Sequence, residues 1–507
     1  MKKTAWLLCL ILCFSAFTSC ASKTPSSNDS QLPITSTETS SDATQREDEH
    51  IFSLPYFSSD SLNPYSATQS ANFYLGSLIY DSLVDVNTDF QAETVIADEI
   101  TLEGNTCKVT VKKGVKFSDG SEVTPEDIVA SFSAAQKSTY YSQRLDNVAS
   151  CRIKDNAVVF TLKKADRNFS KNLTFPIIKG GSKQSMAVGS GRYKFAGESA
   201  ADGLVKNEYN TLKQTSIQNI SLVEIHKYST LPDMIKIGSV NFLYADFSDS
   251  DLKVGAAKTS SVLMNNLVYL GVNSSNPQLV NRDFRKAVSL SLNRKNVLTD
   301  AYAGAGFACA SPFHPQAKDL NSKNYTISLS DASAAQQLFT TCGFSRKDKN
   351  GFFTVSEETP LTLRLAVNKD NTARKRAAQS VKLNLEAAGI AVELIEEDSA
   401  SYKKRIASGD YDLFIGEVKL TADNDISALL SSGYLNACDD GGETLAAYNQ
   451  YLADEITLDD FLRTFDLNTP FIPILYRSST AVFSATLTGN TEVTEYDVFA
   501  AMENWKF

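Results

Sequence analysis

The sequence predicts an α/β protein that folds into at least two lobes. Three apolar strand segments in the C-terminal half, at 361–367, 390–395 and 411–418, alternate with two helical segments that end at Gly389 and Gly409. Such alternation is typical of parallel strands joined by right-handed crossovers. The chain has 507 residues, which is too long for one hydrophobic core.

The N-terminal segment has the features of a secretory signal. Lys2 and Lys3 precede an apolar run at 5–17, which is shorter than the roughly 20 apolar residues that span a bilayer. The next residues, FTSC, end at Cys20 and resemble the cleavage box of bacterial lipoproteins, with Cys20 as the lipidated residue. An ordinary secretory signal with an unrelated cysteine is the alternative. We therefore expect a lipoprotein signal peptide at 1–20 and a body held outside the cytoplasm by a lipid anchor in the cell membrane.

Residues 21–50 are predicted to be a disordered tether. This stretch is rich in Ser and Thr and lacks aromatic residues. It cannot bury enough apolar surface to offset the entropy that ordering would cost. The tether would let the body move while the lipid holds it near the membrane.

Composition and charge argue against several classes of function. Lys and Arg total 49 against 59 Asp and Glu, a formal charge of −10. Because nucleic-acid binders usually carry a basic surplus, no nucleic-acid partner is expected. The three histidines lie far apart in sequence and form no metal-ligand pattern, so neither a metal nor a cofactor is predicted. Cys107 and Cys151 each begin a predicted strand, and a disulfide and two buried free thiols both remain open.

The elements of the first half follow from periodicity, turns and caps. Apolar residues at helical spacing predict a helix over 72–86, and alternating residues predict strands at 106–111 and 157–162. Between these strands, Asp119-Gly120 indicates a turn. Thr124 then fits a helix N-cap, with Pro125 at the first helical position and an acid three residues after the cap. A helix is expected from Pro125 to about residue 137.

Two further helices are predicted before the alternating segment. One runs from Arg282 to about Ala301, and its Arg285 and Arg294 are expected to pair with acids on a solvated face, with ligand contact as the alternative. The other begins after Asp331 as N-cap and is closed by Gly343.

Seven sequence blocks follow one another along the body. They are SLNPYSA at 61–67, LIYDSLVDVN at 78–87, KFSDGSEVTPEDIV at 116–129, GSGRYKF at 189–195, a strand, Asn-rich loop and Arg-x-Ala helix at 267–297, GDYDLFIGE at 409–417 and TPFIPILY at 469–476. Their order resembles the extracytoplasmic solute-binding proteins of peptide and nickel ABC transporters, family 5. Asn63 replaces an Asp of the family pattern and Arg192 replaces a Pro. Each block alone contains residues that favour turns and helix caps and is weak evidence. Seven such blocks in this order are specific for the family.

The resemblance implies an α/β fold with two lobes like that of periplasmic binding proteins of type II, in the large class with an extra subdomain. Mixed sheets, flanking helices and a hinge are expected. Lobe I would comprise 51–75, 176–265 and 470–507, its extra subdomain 76–175, and lobe II 266–469. Strands that cross between the lobes, near 262–272 and 469–477, would form the hinge.

The implied function is the substrate-binding component of an ABC importer, which captures an extracellular solute, foremost a peptide, in the inter-lobe cleft. The implied partners are a small solute or oligopeptide, ABC permease and ATPase subunits, and the membrane through the lipid anchor, for a monomeric protein. A non-transport peptide sensor or surface lipoprotein on this scaffold, and a non-peptide solute, are the alternatives. The Ser-x-x-Lys spacings at 250–253 and 401–404 lack a Lys-Thr-Gly partner motif, so no enzyme is predicted.

One ligand-binding motif of the family is altered in this chain. In peptide-binding relatives, the Asp of a Gly-Trp-x-x-Asp sequence binds the amino terminus of the ligand. Aligned from Gly416, this chain has Glu417 at the Trp position and Leu420 at the Asp position. The acid could instead come from Glu417, one strand-end earlier, or from Asp423, after a shifted loop. The intervening Val418 and Lys419 are also candidate ligand-binding residues.

Aromatic walls of a cleft would have to come from Tyr or Phe, because the only Trp after residue 20 is Trp505. The candidates are Phe57 with its neighbour Ser58, Tyr269 and Tyr476. Packing in a hydrophobic core is the alternative for each aromatic ring.

Overall fold

A computed structural model describes residues 51–245, 258–431, 433, 435–489 and 491–507. The expected signal peptide with Cys20, the tether at 21–50 and the Ser-x-x-Lys spacing at 250–253 lie outside these residues. Within the described residues, no helix combines the length and the apolar character needed to cross a membrane.

The described strands follow the chain in this order: β1 (Phe52–Tyr56), β2 (Val84–Val86), β3 (Ala92–Thr94), β4 (Ala97–Glu103), β5 (Thr106–Val111), β6 (Val148–Lys154), β7 (Ala157–Leu162), β8 (Tyr193–Phe195), β9 (Leu204–Lys206), β10 (Asn219–Glu224), β11 (Phe242–Ala245), β12 (Lys258–Val272), β13 (Gly306–Ala308), β14 (Thr362–Asn368), β15 (Ala391–Glu397), β16 (Leu413–Lys419) and β17 (Ile472–Phe483). The α-helices are α1 (Ser70–Ile79), α2 (Pro125–Ala135), α3 (Leu231–Lys236), α4 (Arg282–Leu290), α5 (Arg294–Tyr302), α6 (Ala332–Thr341), α7 (Thr372–Ala388), α8 (Ser399–Ser408), α9 (Ser427–Leu430), α10 (Glu443–Leu452) and α11 (Leu458–Asn468).

The central sheet has seven described strands in the order β11-β17-β12-β16-β14-β15, with β13 paired to β17. β14 runs parallel to both β15 and β16, as the alternating segment predicts. Two hydrophobic cores contain its side chains: Leu365 packs with α4 to α7, and Phe414 packs with α8, α10 and α11. We call the elements of these two cores, from Leu267 to Tyr476, the sheet lobe. The predicted α/β fold is confirmed.

β12 and β17 extend beyond the sheet lobe into a third core. Val262, Ala481 and Phe483 pack there with Trp505 and the strands of a second sheet, whose order is β1-β10-β9-β8. The pairing of β12 with β17 shifts register between Leu263 and Leu267. Both strands therefore connect the second sheet to the sheet lobe, and the irregularity of β12 lies between the two cores.

A fourth core belongs to residues 83–177, which we call the small subdomain. Its antiparallel sheet has the order β4-β5-β7-β6, and α2 packs on this sheet. The predicted capping box of α2 is confirmed, because Thr124 and Asp127 each accept a hydrogen bond from the backbone N–H of the other. Gly120 takes a φ of +87°, as the turn at this position requires.

The structure excludes an intramolecular bond between Cys107 and Cys151. Cys107 on β5 and Cys151 on β6 both pair with Phe160, from opposite sides of β7. Two strand spacings separate the cysteines by about 9.6 Å, beyond the limit of about 7 Å between the Cα atoms of a disulfide. Both are free thiols.

Two predicted helices are wrong in extent. The helix expected over 72–86 ends at Ile79, because Tyr80 is extended and the buried Asp81 faces Lys213, while Val84 begins β2. The helix expected over 282–301 is divided into α4 and α5. The side chain of Asn293 accepts a hydrogen bond from the backbone of Asn296 and thereby caps a new helix.

The expectation for Arg285 and Arg294 is also wrong. Both residues are buried, at 2% and 1% exposure. Arg285 donates to the carbonyl of Asn468, and Arg294 donates to the carbonyl of Pro473 at 2.7 Å. They tie α4 and α5 to the end of α11 and to β17 rather than pairing with acids at the surface.

Candidate functional site

The small subdomain contacts the sheet lobe through its loop at 166–172. The backbone N–H of Arg167 donates to the carbonyl of Leu452 at 3.0 Å, and Lys171 pairs with Asp319 at 2.6 Å. The side-chain amide of Asn172 donates to the Asp423 carboxylate. These contacts close one side of a cleft between the two bodies.

A cavity of about 310 Å³ opens between the same two bodies. Its charged lining includes, from the small subdomain, Arg144, Asp146, Lys163, Lys164 and Asp166, and, from the loop after β16, Asp423 and Asp425. Because β16 is a parallel partner of β14, this loop leaves the carboxyl end of the strand, where α/β sheets commonly bind ligands. We call this space the main cavity.

Two of the acids in the main cavity are buried against each other. Asp166 and Asp423 are 6% and 7% exposed, and their carboxyl groups lie within hydrogen-bonding reach. Burial and the neighbouring carboxylates raise the pKa of Asp166 well above its usual range. The pKa of Asp423 is also raised, first by burial and then by the charge of Asp425. Hydrogen bonds from Thr421 and Asn172 oppose this shift without cancelling it.

Arg144 lies at the junction of the main cavity and a smaller one of about 50 Å³. Its guanidinium group lies 5.2 Å from the ring centre of Tyr141 and 5.9 Å from that of Tyr496. One of its nitrogens donates to the Thr174 hydroxyl at 3.0 Å. Tyr74 and Tyr80 add aromatic rings to the lining of the smaller cavity.

The structure places the acidic candidates from the sequence in two different environments. Glu417 contacts the buried Arg477, accepts a hydrogen bond from Asn266 at 2.9 Å and lies 3.7 Å from Arg374. Its charge is therefore balanced inside the protein. Asp423 lines the main cavity.

The candidate residues between Glu417 and Asp423 also lie in different environments. Val418 lines the main cavity, and Leu420 is buried in a core. The exposed Lys419 pairs with the buried Glu495 at 2.7 Å.

The aromatic candidates are buried within the protein. The hydroxyl of Tyr269 donates to the carbonyl of Leu435, and that of Tyr476 donates to the carbonyl of Pro312. Both rings belong to a core of the sheet lobe.

The other two candidates lie near the second sheet. Phe57 packs against Tyr228 with 4.9 Å between ring centres. Ser58 donates to Glu224.

Sequence reasoning did not find Arg144 and Asp166. Neither lies in one of the seven blocks, and only folding brings them to the loop after β16. The structure also places Asp425 in the cavity lining. No group of histidine, cysteine or acidic residues that could hold a metal ion occurs in the part of the chain described here.

Comparison with known proteins identifies the family. A family model described as bacterial extracellular solute-binding proteins, family 5 Middle, matches residues 92–436, which is more than half of the chain. The chain therefore belongs to this family of solute-binding proteins, and the resemblance of the seven blocks is confirmed.

Individual relatives are distant in sequence. The oligopeptide-binding protein AppA of Bacillus subtilis is 24% identical over 390 residues, which cover 70% of each chain. The heme-binding protein A of Haemophilus influenzae is 22% identical over 420 residues, which cover 73% of this chain and 74% of that protein. The solved structure of an ABC transporter substrate-binding protein from Sinorhizobium meliloti matches with a TM-score of 0.72 at 18% identity, over 90% of this chain and 99% of that one.

Proposed function

We propose that this protein binds a short extracellular peptide in the main cavity and delivers it to the permease of an ABC importer. The observation that carries the proposal is the pair of buried acids, Asp166 and Asp423, that line the cavity. No cation of the described residues forms an ion pair with either acid. Buried carboxyl groups without a counter-ion favour a cationic ligand, and the ammonium group of a peptide is one.

The position of the acids supports this assignment. Asp423 lies in the loop after β16, near the place where the Gly-Trp-x-x-Asp sequence of peptide-binding relatives would put its acid. Leu420 cannot serve, because its side chain is apolar and buried. Asp423, with the adjacent Asp166, would bind the amino terminus instead. The relative from Bacillus subtilis is named as an oligopeptide-binding protein, in agreement with a peptide ligand.

The remaining parts of the proposed function concern delivery. Lobe I (51–75, 176–265 and 470–507, with 76–175 as its subdomain) would rotate against lobe II (266–469) about β12 and β17 and close on the peptide. A lipid on Cys20 and the tether at 21–50 would hold the monomer near its permease and raise its effective concentration there. The protein would act by binding alone, without catalysis.

The test uses an equimolar library of tripeptides in two forms, with free and with acetylated amino termini. The purified protein is incubated with each form, and the retained peptides are measured by mass spectrometry after denaturation. We expect the free form to be retained and the acetylated form to be lost, since acetylation removes the positive charge.

The variant Asp423→Asn should lose most of the preference for the free amino terminus. Asp146→Asn, which changes an exposed acid in the lining of the same cavity, should keep this preference. Equal retention of free and acetylated peptides by the unmodified protein would contradict the proposed role of the acids. Retention of neither form would contradict the peptide as ligand.

A further inference from the structure

Phe90 lies at the tip of the hairpin formed by β2 and β3 of the small subdomain, but its ring is buried in the sheet lobe. The residue is 2% exposed and belongs to the same core as Phe414 and Tyr476. Val86 of the same hairpin joins that core, whereas Val84 at the base of the hairpin belongs to the core of the small subdomain. The hairpin therefore makes an apolar contact between the two bodies, in addition to the polar contacts of the loop at 166–172.

The ring of Phe90 packs against an aromatic group of the sheet lobe. Its centre lies 4.6 Å from that of His314, which in turn lies 4.7 Å from the ring of Tyr476 and 5.4 Å from that of Phe307. Burial lowers the pKa of His314 to about 3, so its ring is neutral at physiological pH. Neutral aromatic rings form a pocket that binds a phenyl ring without burying a charge.

The backbone at the tip of the hairpin is unusual. Phe90 has a φ of +59°, a conformation that is rare for a large side chain. The turn is held by Asn87, whose backbone N–H donates to the carbonyl of Gln91 at 3.0 Å and whose side-chain oxygen accepts from the backbone of Asp89 at 3.0 Å. Strained residues persist where surrounding contacts fix them, and they concentrate at functional positions. The buried contact with the sheet lobe offsets the strain at Phe90.

The hairpin is also joined to the loop that carries Asp166. The backbone N–H of Val84 donates to the carbonyl of Leu173 at 3.3 Å, and both side chains are fully buried in the core of the small subdomain. Asp166 lies in the loop that ends next to Leu173 and meets Asp423 of the sheet lobe. The position of the hairpin on the sheet lobe therefore affects the position of Asp166 relative to Asp423.

We propose that Phe90 is a positioning residue that fastens the small subdomain to the sheet lobe, keeps the cleft closed without a ligand and holds Asp166 beside Asp423. This inference rests on the proposed function, since it concerns closure of the same cleft, but its first readout needs no ligand. At the edge of the contact, Lys318 donates its backbone N–H to the carbonyl of Asp89 at 3.2 Å and pairs with the Asp89 carboxylate. This ion pair is exposed and contributes little, so the apolar ring is the main fastening.

The first test measures the radius of gyration of the dialysed, ligand-free protein by small-angle X-ray scattering. Phe90→Ala should be more expanded than the unmodified protein, because the two bodies separate when the ring is lost. Phe90→Leu keeps an apolar side chain and should remain mostly compact. Phe132→Ala is the matched control, since Phe132 is buried in the core of the small subdomain itself, and Lys318→Met tests the exposed ion pair. Both controls should stay as compact as the unmodified protein.

The second test measures binding of the two tripeptides most strongly retained from the library, by isothermal titration calorimetry. Phe90→Ala should weaken both by the same factor, about tenfold or more, because a smaller fraction of the protein is in the binding conformation. Phe132→Ala should unfold at a lower temperature but keep its affinity for both peptides. A merely structural role of Phe90 would lower the unfolding temperature in the same way without expanding the folded protein.

A Phe90→Ala protein that is folded and as compact as the unmodified protein would overturn the assignment. An expansion of Phe132→Ala equal to that of Phe90→Ala would overturn it too, as would losses of affinity that differ between the two tripeptides. Failure of the unmodified protein to bind either tripeptide would overturn the proposed function, whereas the scattering result would still decide the role of Phe90. Circular dichroism of each variant checks that the fold is retained, and Phe90→Leu replaces Phe90→Ala if the latter does not fold.

Discussion

The cluster of charges around Lys213 and the charges of the main cavity both bury carboxyl groups, but they balance the charge differently. In the first cluster, Lys213 lies 2.7 Å from Asp85 and 3.3 Å from Asp497. Arg192, which replaces a proline of the family pattern, also pairs with Asp497 at 3.1 Å. In the main cavity, Asp166 and Asp423 have each other and neutral donors as partners among the described residues. We call the first group the Lys213 cluster.

The pKa shifts follow this difference. Burial alone would raise the pKa of Asp497, but Lys213 and Arg192 outweigh it and hold the pKa below its usual value. Asp81 lies farther from Lys213, at 3.9 Å, and burial raises its pKa to about 6 against the attraction of that lysine. Burial raises the pKa values of Asp166 and Asp423, and neighbouring acids add to both shifts.

The comparison shows how a structural charge cluster differs from the proposed binding site. A buried cluster whose charges pair internally holds its elements together, because breaking one pair leaves an uncompensated charge. A buried group of acids without a cation costs stability when it is ionised, and a cationic ligand would supply the missing charge. The protein thus combines a group of acids that Lys213 and Arg192 balance with a pair of acids in the main cavity that has no cation among the described residues.

The largest expected effect is on stability, from Lys213→Met. This change leaves Asp81, Asp85 and Asp497 without their shared cation and should lower the free energy of unfolding by about 3–5 kcal/mol. Urea denaturation at neutral pH measures it. Lys194→Met removes one side of a surface pair with Glu208 and should cost less than about 1 kcal/mol. Equal losses in the two variants would mean that the Lys213 cluster does not hold the scaffold together.

The next largest expected effect is a dependence of stability on pH, which the variant Asp166→Asn should change. The folded-state pKa values of Asp166 and Asp423 are raised. The favourable contribution of these acids to the free energy of unfolding is therefore present at low pH and is lost as the pH rises through the folded-state pKa values. Without ligand, Asp166→Asn should therefore become more stable than the unmodified protein with rising pH. The gain should reach about 1–3 kcal/mol, the usual penalty of an unsatisfied buried polar group.

Urea denaturation of both proteins across a series of pH values measures this difference. Asp146→Asn, an exposed acid at the same cavity, should follow the unmodified protein. A stability difference for Asp166→Asn that stays constant with pH would show that the buried acids are compensated after all.

The smallest expected effect concerns Glu417, the acid that already has internal partners. Glu417→Gln should change the ratio of affinities for free and acetylated tripeptides by less than about twofold, because Arg477 and Arg374 already balance its charge. Competition binding with the two peptide forms measures the ratio. A loss of preference as large as in Asp423→Asn would transfer the amino-terminal anchor to Glu417.

Local sequence signals predicted the elements that depend on neighbours along the chain. The capping box of Thr124 and Asp127 closes within four residues, and α7 and α8 end at Gly389 and Gly409 in the left-handed conformation. Each of these features is decided by backbone groups that are close in sequence. The capping box and the glycine helix ends therefore do not depend on distant parts of the chain.

Predictions that depended on burial failed or remained open. The surface role expected for Arg285 is wrong because the end of α11, some 180 residues away, covers its guanidinium group with carbonyl oxygens. The pairing of Cys107 with Cys151 remained open until the order of strands placed β7 between them. Neither outcome could be derived from the residues next to these side chains.

The sequence by itself determined the α/β alternation, the caps and turns, and the order of blocks that marks the family, because these are properties of short segments and of their succession. Only the tertiary structure decided which charges are balanced. Glu417 lies in β16 and meets Arg477 across the central sheet, whereas Asp423 lies in the loop after β16 and meets Asp166 from another subdomain. The pKa and the binding capacity of a carboxyl group depend on the charges and the water around it in space, and folding brings those neighbours from distant parts of the chain.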